Sequence, residues 1–137
     1  MNKQIISLFL IGLVSTQTPD ANGCYTDMQL VEMSEGFQAC MYTDTTGNPT
    51  ICYGYNLNNG NAANDLANVG ADYTTVMNGG CLSDSQCTSL LQEYVTIAEN
   101  AVTNIYGSSV SCYCAQYVLD DMSYNMGSAG LATFTTF

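Results

Sequence analysis

The chain has 137 residues, 47% of them hydrophobic, enough for one globular domain with a buried core. Twelve Asp and Glu stand against a single Lys or Arg and no His, giving a formal net charge of −11. That balance excludes holding nucleic acid or phosphate by charge, and the missing His excludes Ser-His-Asp and Cys-His catalysis and the usual zinc enzymes.

The first sixteen residues read as a secretory signal. Lys3 supplies the positive start, an apolar run covers 5–14, and the small residues Ser15 and Thr16 follow. That run falls short of the roughly 20 residues a membrane span requires, and no later segment is apolar enough, so no stable membrane insertion is expected. Cleavage fits after Thr16 or at a point before Cys24. Residues 17–137 then form one domain whose only acid–base groups are carboxylates, Tyr and Cys.

All seven cysteines lie beyond the signal: Cys24, Cys40, Cys52, Cys81, Cys87, Cys112 and Cys114. In a secreted chain they read as disulfides; a zinc site would want a Cys-x-x-Cys pair, and only Cys112-Tyr113-Cys114 is present. The number is odd, so one is left over and the pairing stays open. The unopposed negative charge repels itself at neutral pH, which points to an acidic working place.

Residues 27–40 are predicted helical, with Leu30, Val31, Met33 and Phe37 near helical spacing and Asp27 in the first turn. Residues 40–57 read as a hairpin: Tyr42, Ile51, Tyr53 and Tyr55 are strand formers around a turn at 45–49. Residues 56–80, rich in Asn, Gly and Ala, read as loop with one short helix at 62–69. Ser83 and Asp84 cap a long helix running to about Ile105, its stripe built from Cys87, Leu90, Leu91, Tyr94, Val95, Ala98, Ala101, Val102 and Ile105. A further helix covers 112–125, with Val118, Leu119 and Met122 inward. It stops at Gly127, and another begins after Ser128. Leu131, Phe134 and Phe137 are apolar and need a partner, so the chain is expected to be incomplete at its end. The fold class is α+β: an N-terminal helix and small β-hairpin lobe beside a mainly helical second lobe.

Two carboxylates stand out. Glu35 falls toward the end of the first helix, Asp44 in the first strand of the hairpin, and Thr50 opens the second strand. Glycoside hydrolysis needs one carboxyl to protonate the leaving oxygen and a second, ionised, to direct water or attack the sugar; a Thr hydroxyl can hold the water. Spacing alone carries little weight, because carboxylates are common at turns and helix ends.

The stretch from Glu35 resembles the phage-type lysozymes, the T4-like muramidases, whose pattern is Glu-Gly on a helix followed by Tyr-x-Asp-x-x-Gly-x-x-Thr-Ile-Gly-x-Gly-His. Glu35, Gly36, Tyr42, Asp44, Gly47, Thr50, Ile51 and Gly54 match it. Residues 115–130 look like the family's helix ending in Phe-Asn-x-Gly-x-Gly. The likeness runs from about Leu30 to the end of the chain. It implies Glu35 as general acid on the bond between N-acetylmuramic acid and N-acetylglucosamine, Asp44 and Thr50 placing the attacking water with inversion, and Asn125 touching substrate or bonding near Glu35. Asn125 reads equally well as a helix C-terminal cap.

Three departures stand beside the match. The pattern's His, which in the family supports the fold by pairing with an acid, is Tyr55. The Gly of Thr-Ile-Gly is Cys52, which a disulfide to Cys40 or another cysteine would tie. The family also continues with further helices, which carry a basic residue near the catalytic Glu. The resemblance implies bacterial peptidoglycan as the partner, no cofactor or metal, and no nucleic acid. It suits a chain that is secreted or held in the lumen of an acidic digestive or lysosomal compartment. A chitin-cutting enzyme is the nearest enzymatic rival. A non-catalytic secreted sugar-binding protein that keeps the fold is the alternative of another class. Oligomeric state is not legible.

Overall fold

The computed structural model describes residues 17–134. The predicted signal segment and Phe137 lie outside them. The elements run α1 (Asp27–Glu35), β1 (Gln38–Thr43), β2 (Pro49–Cys52), β3 (Tyr55–Asn56), α2 (Ala62–Asn68), α3 (Tyr73–Met77), α4 (Asp84–Tyr106), a 3-10 turn (Gly107–Ser109) and α5 (Tyr113–Leu131). This is the expected α+β arrangement.

Helix α1 starts at a capping box. The Thr26 side chain accepts from the Gln29 amide, and the Gln29 side chain accepts from the Thr26 amide. It ends sooner than predicted. Gly36, at φ 71°, breaks the helix directly after Glu35, and residues 38–43 form strand β1. Phe37 extends the apolar spacing but not the helix: it stays 47% exposed and stacks on Tyr53 with ring centroids 5.0 Å apart. Met33 is exposed as well, so Val31 is the apolar residue that α1 buries.

The hairpin gains a third strand. The sheet is antiparallel in the order β1-β2-β3, with Tyr42 opposite Thr50 and Ile51 opposite Tyr55. Ile51, Cys52, Tyr55 and Leu57 enter a core with Leu66, Val76, Leu82, Cys87 and Leu90. Helix α3 falls in the stretch whose composition predicts loop. Its five residues are too few to show a period, but Asp72 caps it by accepting from the Thr75 amide at 2.8 Å.

Helix α4 follows the prediction closely. Ser83 and Gln86 form its capping box, and Cys87, Leu90, Leu91, Val95, Ala98 and Val102 are buried along one face. Burying that stripe contributes on the order of 10 kcal/mol before chain entropy is subtracted. Helix α5 packs beside it and breaks at Gly127, whose φ of 74° separates two helical pieces as expected. Val118 is a correction: it is 50% exposed, while Leu119 and Leu131 face the core. Phe134 remains 43% exposed.

Three disulfides bind these parts: Cys24–Cys114, Cys40–Cys81 and Cys52–Cys87. The first ties the segment before α1 to α5, the second ties β1 to the strand-like bridge before α4, and the third ties the sheet to α4. Cys112 is the free cysteine and is exposed. Such bonds belong to an oxidising compartment. Among the described residues no helix is long and apolar enough to cross a membrane.

Candidate active site

Glu35 is the last residue of α1, and the left-handed Gly36 turns the chain away immediately after it. Its carboxyl rests on the turn between β2 and β3. A Cβ placed on Gly54 would overlap Glu35 Oε2 and stand 3.0 Å from Cδ, so a glycine at φ 74° is what makes room for the acid. Although the side chain keeps contact with solvent, desolvation of the carboxyl pushes its pKa above the ordinary glutamate value, and the charge of Asp121 on α5 adds to the rise. Among the described residues no hydrogen-bond donor satisfies it.

Asp44 sits one residue beyond β1, opening the turn rather than ending the strand. Its Oδ1 accepts from the Asn48 amide and the Thr46 amide, each at 2.8 Å, and from the Thr46 hydroxyl at 2.9 Å. Oδ2 is less engaged, meeting the same Thr46 hydroxyl at 3.0 Å and the Asn48 side-chain amide at 3.5 Å. These donors, the Asn48 amide foremost, hold its pKa below the usual aspartate value.

Tyr42 links the two acids. Desolvation raises its pKa, and the charges of both Glu35 and Asp44 add to the rise. Thr50 lies directly across from it in the sheet, 3% exposed, and its hydroxyl donates to the Asn48 carbonyl at 3.1 Å. The same carbonyl accepts from the Asp44 amide at 2.9 Å. Glu35, Tyr42, Asp44 and Thr50 therefore belong to one corner of the molecule, where the end of α1 meets the sheet.

Asn125 is placed on α5 with its amide donating to the Asp121 carbonyl at 2.9 Å and to its carboxylate at 3.3 Å. It thus bonds one helical turn back, just before the break at Gly127. Asp121 is the residue whose charge reaches Glu35, and sequence reasoning passed over it. Its place one turn before Asn125 on the same helix was the available signal.

The departure at Tyr55 has a counterpart. Its hydroxyl donates to Asp65 Oδ2 at 2.6 Å, and Tyr94 donates to the same oxygen at 2.7 Å. An acid partner is thus present, with a phenol where the pattern has an imidazole. Cys52 adopts φ 57°, a glycine-like conformation, at the position where the pattern has Gly.

A recess lies elsewhere, at the start of α5. It measures about 780 Å³ and is lined by Tyr106, Val110, Ala115, Val118, Leu119 and Met122. It holds no carboxylate, so geometry and chemistry together favour the Glu35 corner. No group of three or more His, Cys, Asp or Glu among the described residues is arranged to hold a metal ion.

No curated protein matches the chain. Residues 32–137, which include every one of the motif positions above, match the family model for phage lysozyme, and the chain belongs to that family.

Proposed function

We propose that the protein is a lysozyme that hydrolyses the β-1,4 bond between N-acetylmuramic acid and N-acetylglucosamine in bacterial peptidoglycan. The observation that carries this reading is the contrast between two neighbouring carboxylates. Glu35 is pushed toward its protonated form, and Asp44 is held toward its ionised form. An acid and a base set apart by their surroundings are what glycosidic cleavage requires.

In this reading Glu35 donates its proton to the glycosidic oxygen as the bond to the anomeric carbon breaks. Water attacks that carbon, and its proton passes to Asp44. The less engaged Oδ2 of Asp44 has acceptor capacity for one water hydrogen. Thr50 spends its own hydrogen on the Asn48 carbonyl, so its oxygen is left as an acceptor for the other. Both acceptors would turn the water's lone pair toward the sugar, which gives inversion. Asn125, beside Asp121 on α5, is the proposed substrate contact from the helical side. The predicted signal segment and the three disulfides support a secreted protein, or one acting in the lumen of an acidic digestive compartment.

The test is release of new reducing ends from purified peptidoglycan between pH 4 and 7, with Glu35→Gln alongside. Release by the native protein that falls at least about a thousandfold in the variant supports the reading. A folded protein that binds the wall without cutting it would instead establish a sugar-binding role, which the chain's unopposed negative charge allows. Chitin as a parallel substrate separates the two enzymatic readings. Thr50→Val activity within about twofold of the native value would remove Thr50 from the mechanism.

A further inference from the structure

Tyr124 lies on α5, in the helical part of the molecule. Its ring packs against the cluster of Val31, Leu91 and Val95, which joins α1 to α4. Its hydroxyl reaches out of that cluster and donates to the Tyr53 carbonyl at 2.8 Å, across 71 residues of sequence. Tyr53 and Gly54 form the turn between β2 and β3, and the Glu35 carboxyl rests on Gly54. On its other side the Tyr53 ring stacks on Phe37, two residues beyond Glu35.

We propose that Tyr124 is a positioning residue for Glu35: its hydroxyl pins the Tyr53–Gly54 turn to α5, and that turn is the seat on which the acid is held. This rests on the reading of Glu35 as the proton donor. The logic is geometric. The turn is tied on its near side through the Cys52–Cys87 bridge, but it leads into a strand of only two residues, β3, whose few sheet hydrogen bonds hold its far side weakly. A bond from a rigid helix to the carbonyl next to Gly54 fixes the peptide that faces Glu35. The phenol cannot serve Glu35 directly as a donor while its hydrogen is given to Tyr53.

The surrounding groups agree with this placement. The Tyr124 phenol is raised in pKa chiefly by desolvation, with the charge of Glu35 the next cause. Asp121 from α5 and Tyr42 from β1 also interact electrostatically with Glu35. None of them touches the Tyr53 carbonyl. Loss of the pin would let the turn lift and water reach the acid, returning Glu35 toward an ordinary glutamate.

Tyr124→Phe removes the hydroxyl and keeps the ring in its cluster. Far-ultraviolet circular dichroism and thermal melting of the variant check that it folds. The experiment follows the Glu35 carboxyl carbon by NMR titration in the native protein, Tyr124→Phe and Tyr73→Phe. The last is the control, because Tyr73 likewise donates to a backbone carbonyl, that of Leu57 at 3.2 Å, away from Glu35. The expected result is a Glu35 midpoint lowered by at least about half a pH unit in Tyr124→Phe and unmoved in Tyr73→Phe. Turnover of peptidoglycan should fall by about tenfold, with the alkaline limb of the pH profile moved the same way and KM nearly constant. A Glu35 midpoint equal in all three proteins overturns the proposal. A shifted midpoint in a protein that cuts no peptidoglycan sustains the positioning role and overturns the lysozyme reading, so the two are separated.

Discussion

Where α1, α4 and α5 meet, three carboxylates converge: Asp27, Glu99 and Asp120. Asp27 is 7% exposed and Asp120 1%. Among the described residues no Lys, Arg or His stands beside them. One oxygen of Asp27, Oδ2, is buried and has no hydrogen-bond partner among the described residues. Glu99 is pushed up to about 7, first by desolvation and then by its bond to Asp27. Asp120 is pushed up to about 6 by desolvation, against the pull of the Gln116 amide, which donates to it at 3.0 Å. A raised carboxyl pKa means that the folded protein binds protons the unfolded chain has lost. Stability is therefore full below about pH 4 and drains away as pH rises through the folded values. For Asp120 the gap between 3.8 and about 6, at about 1.36 kcal/mol per pH unit, amounts to about 3 kcal/mol. About 2 kcal/mol of that is lost between pH 4.5 and pH 7.5, which in a domain of this size is a melting temperature about 8 °C lower at the higher pH. Calorimetry at intervals across that range measures it, with Asp120→Asn as the perturbation and 0.5 M NaCl as the control. Salt screens surface repulsion but not a buried cluster, so the slope should survive salt and flatten in the variant. A melting temperature that is level or rising toward pH 7.5, or a slope that salt abolishes, refutes the reasoning.

Gly54→Ala should cost about 1–2 kcal/mol through its positive φ and, by displacing the Glu35 carboxyl, lower peptidoglycan turnover by about a hundredfold, read by reducing-end release and thermal melting together. Tyr55→Phe and Tyr94→Phe each remove one of the two phenol donors to the buried Asp65, and each should cost about 1–2 kcal/mol in urea unfolding. The double variant should cost more than their sum, because it leaves that carboxylate with neither. Replacing the Cys52–Cys87 bridge by Gly and Ala opens a loop with a sequence separation of 35, worth about 4 kcal/mol of chain entropy, but Gly at a φ of 57° returns about 1 kcal/mol. Cys52→Gly/Cys87→Ala should therefore lie measurably above Cys52→Ala/Cys87→Ala in guanidinium melts.

Local signals made much of this molecule legible. Helix α4 announces itself through Ser83 and Asp84 at its start and a stripe that recurs over about five turns. Glu35, Asp44 and Thr50 stand in a register specific enough to suggest a family, and the family match includes them. What escaped was set by contacts between distant parts of the chain. Phe37 prolongs the apolar rhythm of α1 because it packs on Tyr53, a partner that spacing cannot reveal. The cysteine pairing depends on which elements cross, and the Cys52–Cys87 link between sheet and helix was one option among many. Asp121 and Tyr124 belong to α5, more than eighty residues beyond Glu35, and only the fold brings them to bear on it.

The three disulfides also have a topological consequence. The Cys40–Cys81 and Cys52–Cys87 loops interlock, and both lie inside the Cys24–Cys114 loop. A single backbone cut anywhere between Cys24 and Cys114 therefore leaves the two pieces covalently joined. A cut in the stretch between Cys52 and Cys81, which holds α2 and α3, leaves them joined three times over. Among proteases, such a chain can be nicked without being dismantled, and each nicked end stays close to the partner it must find again.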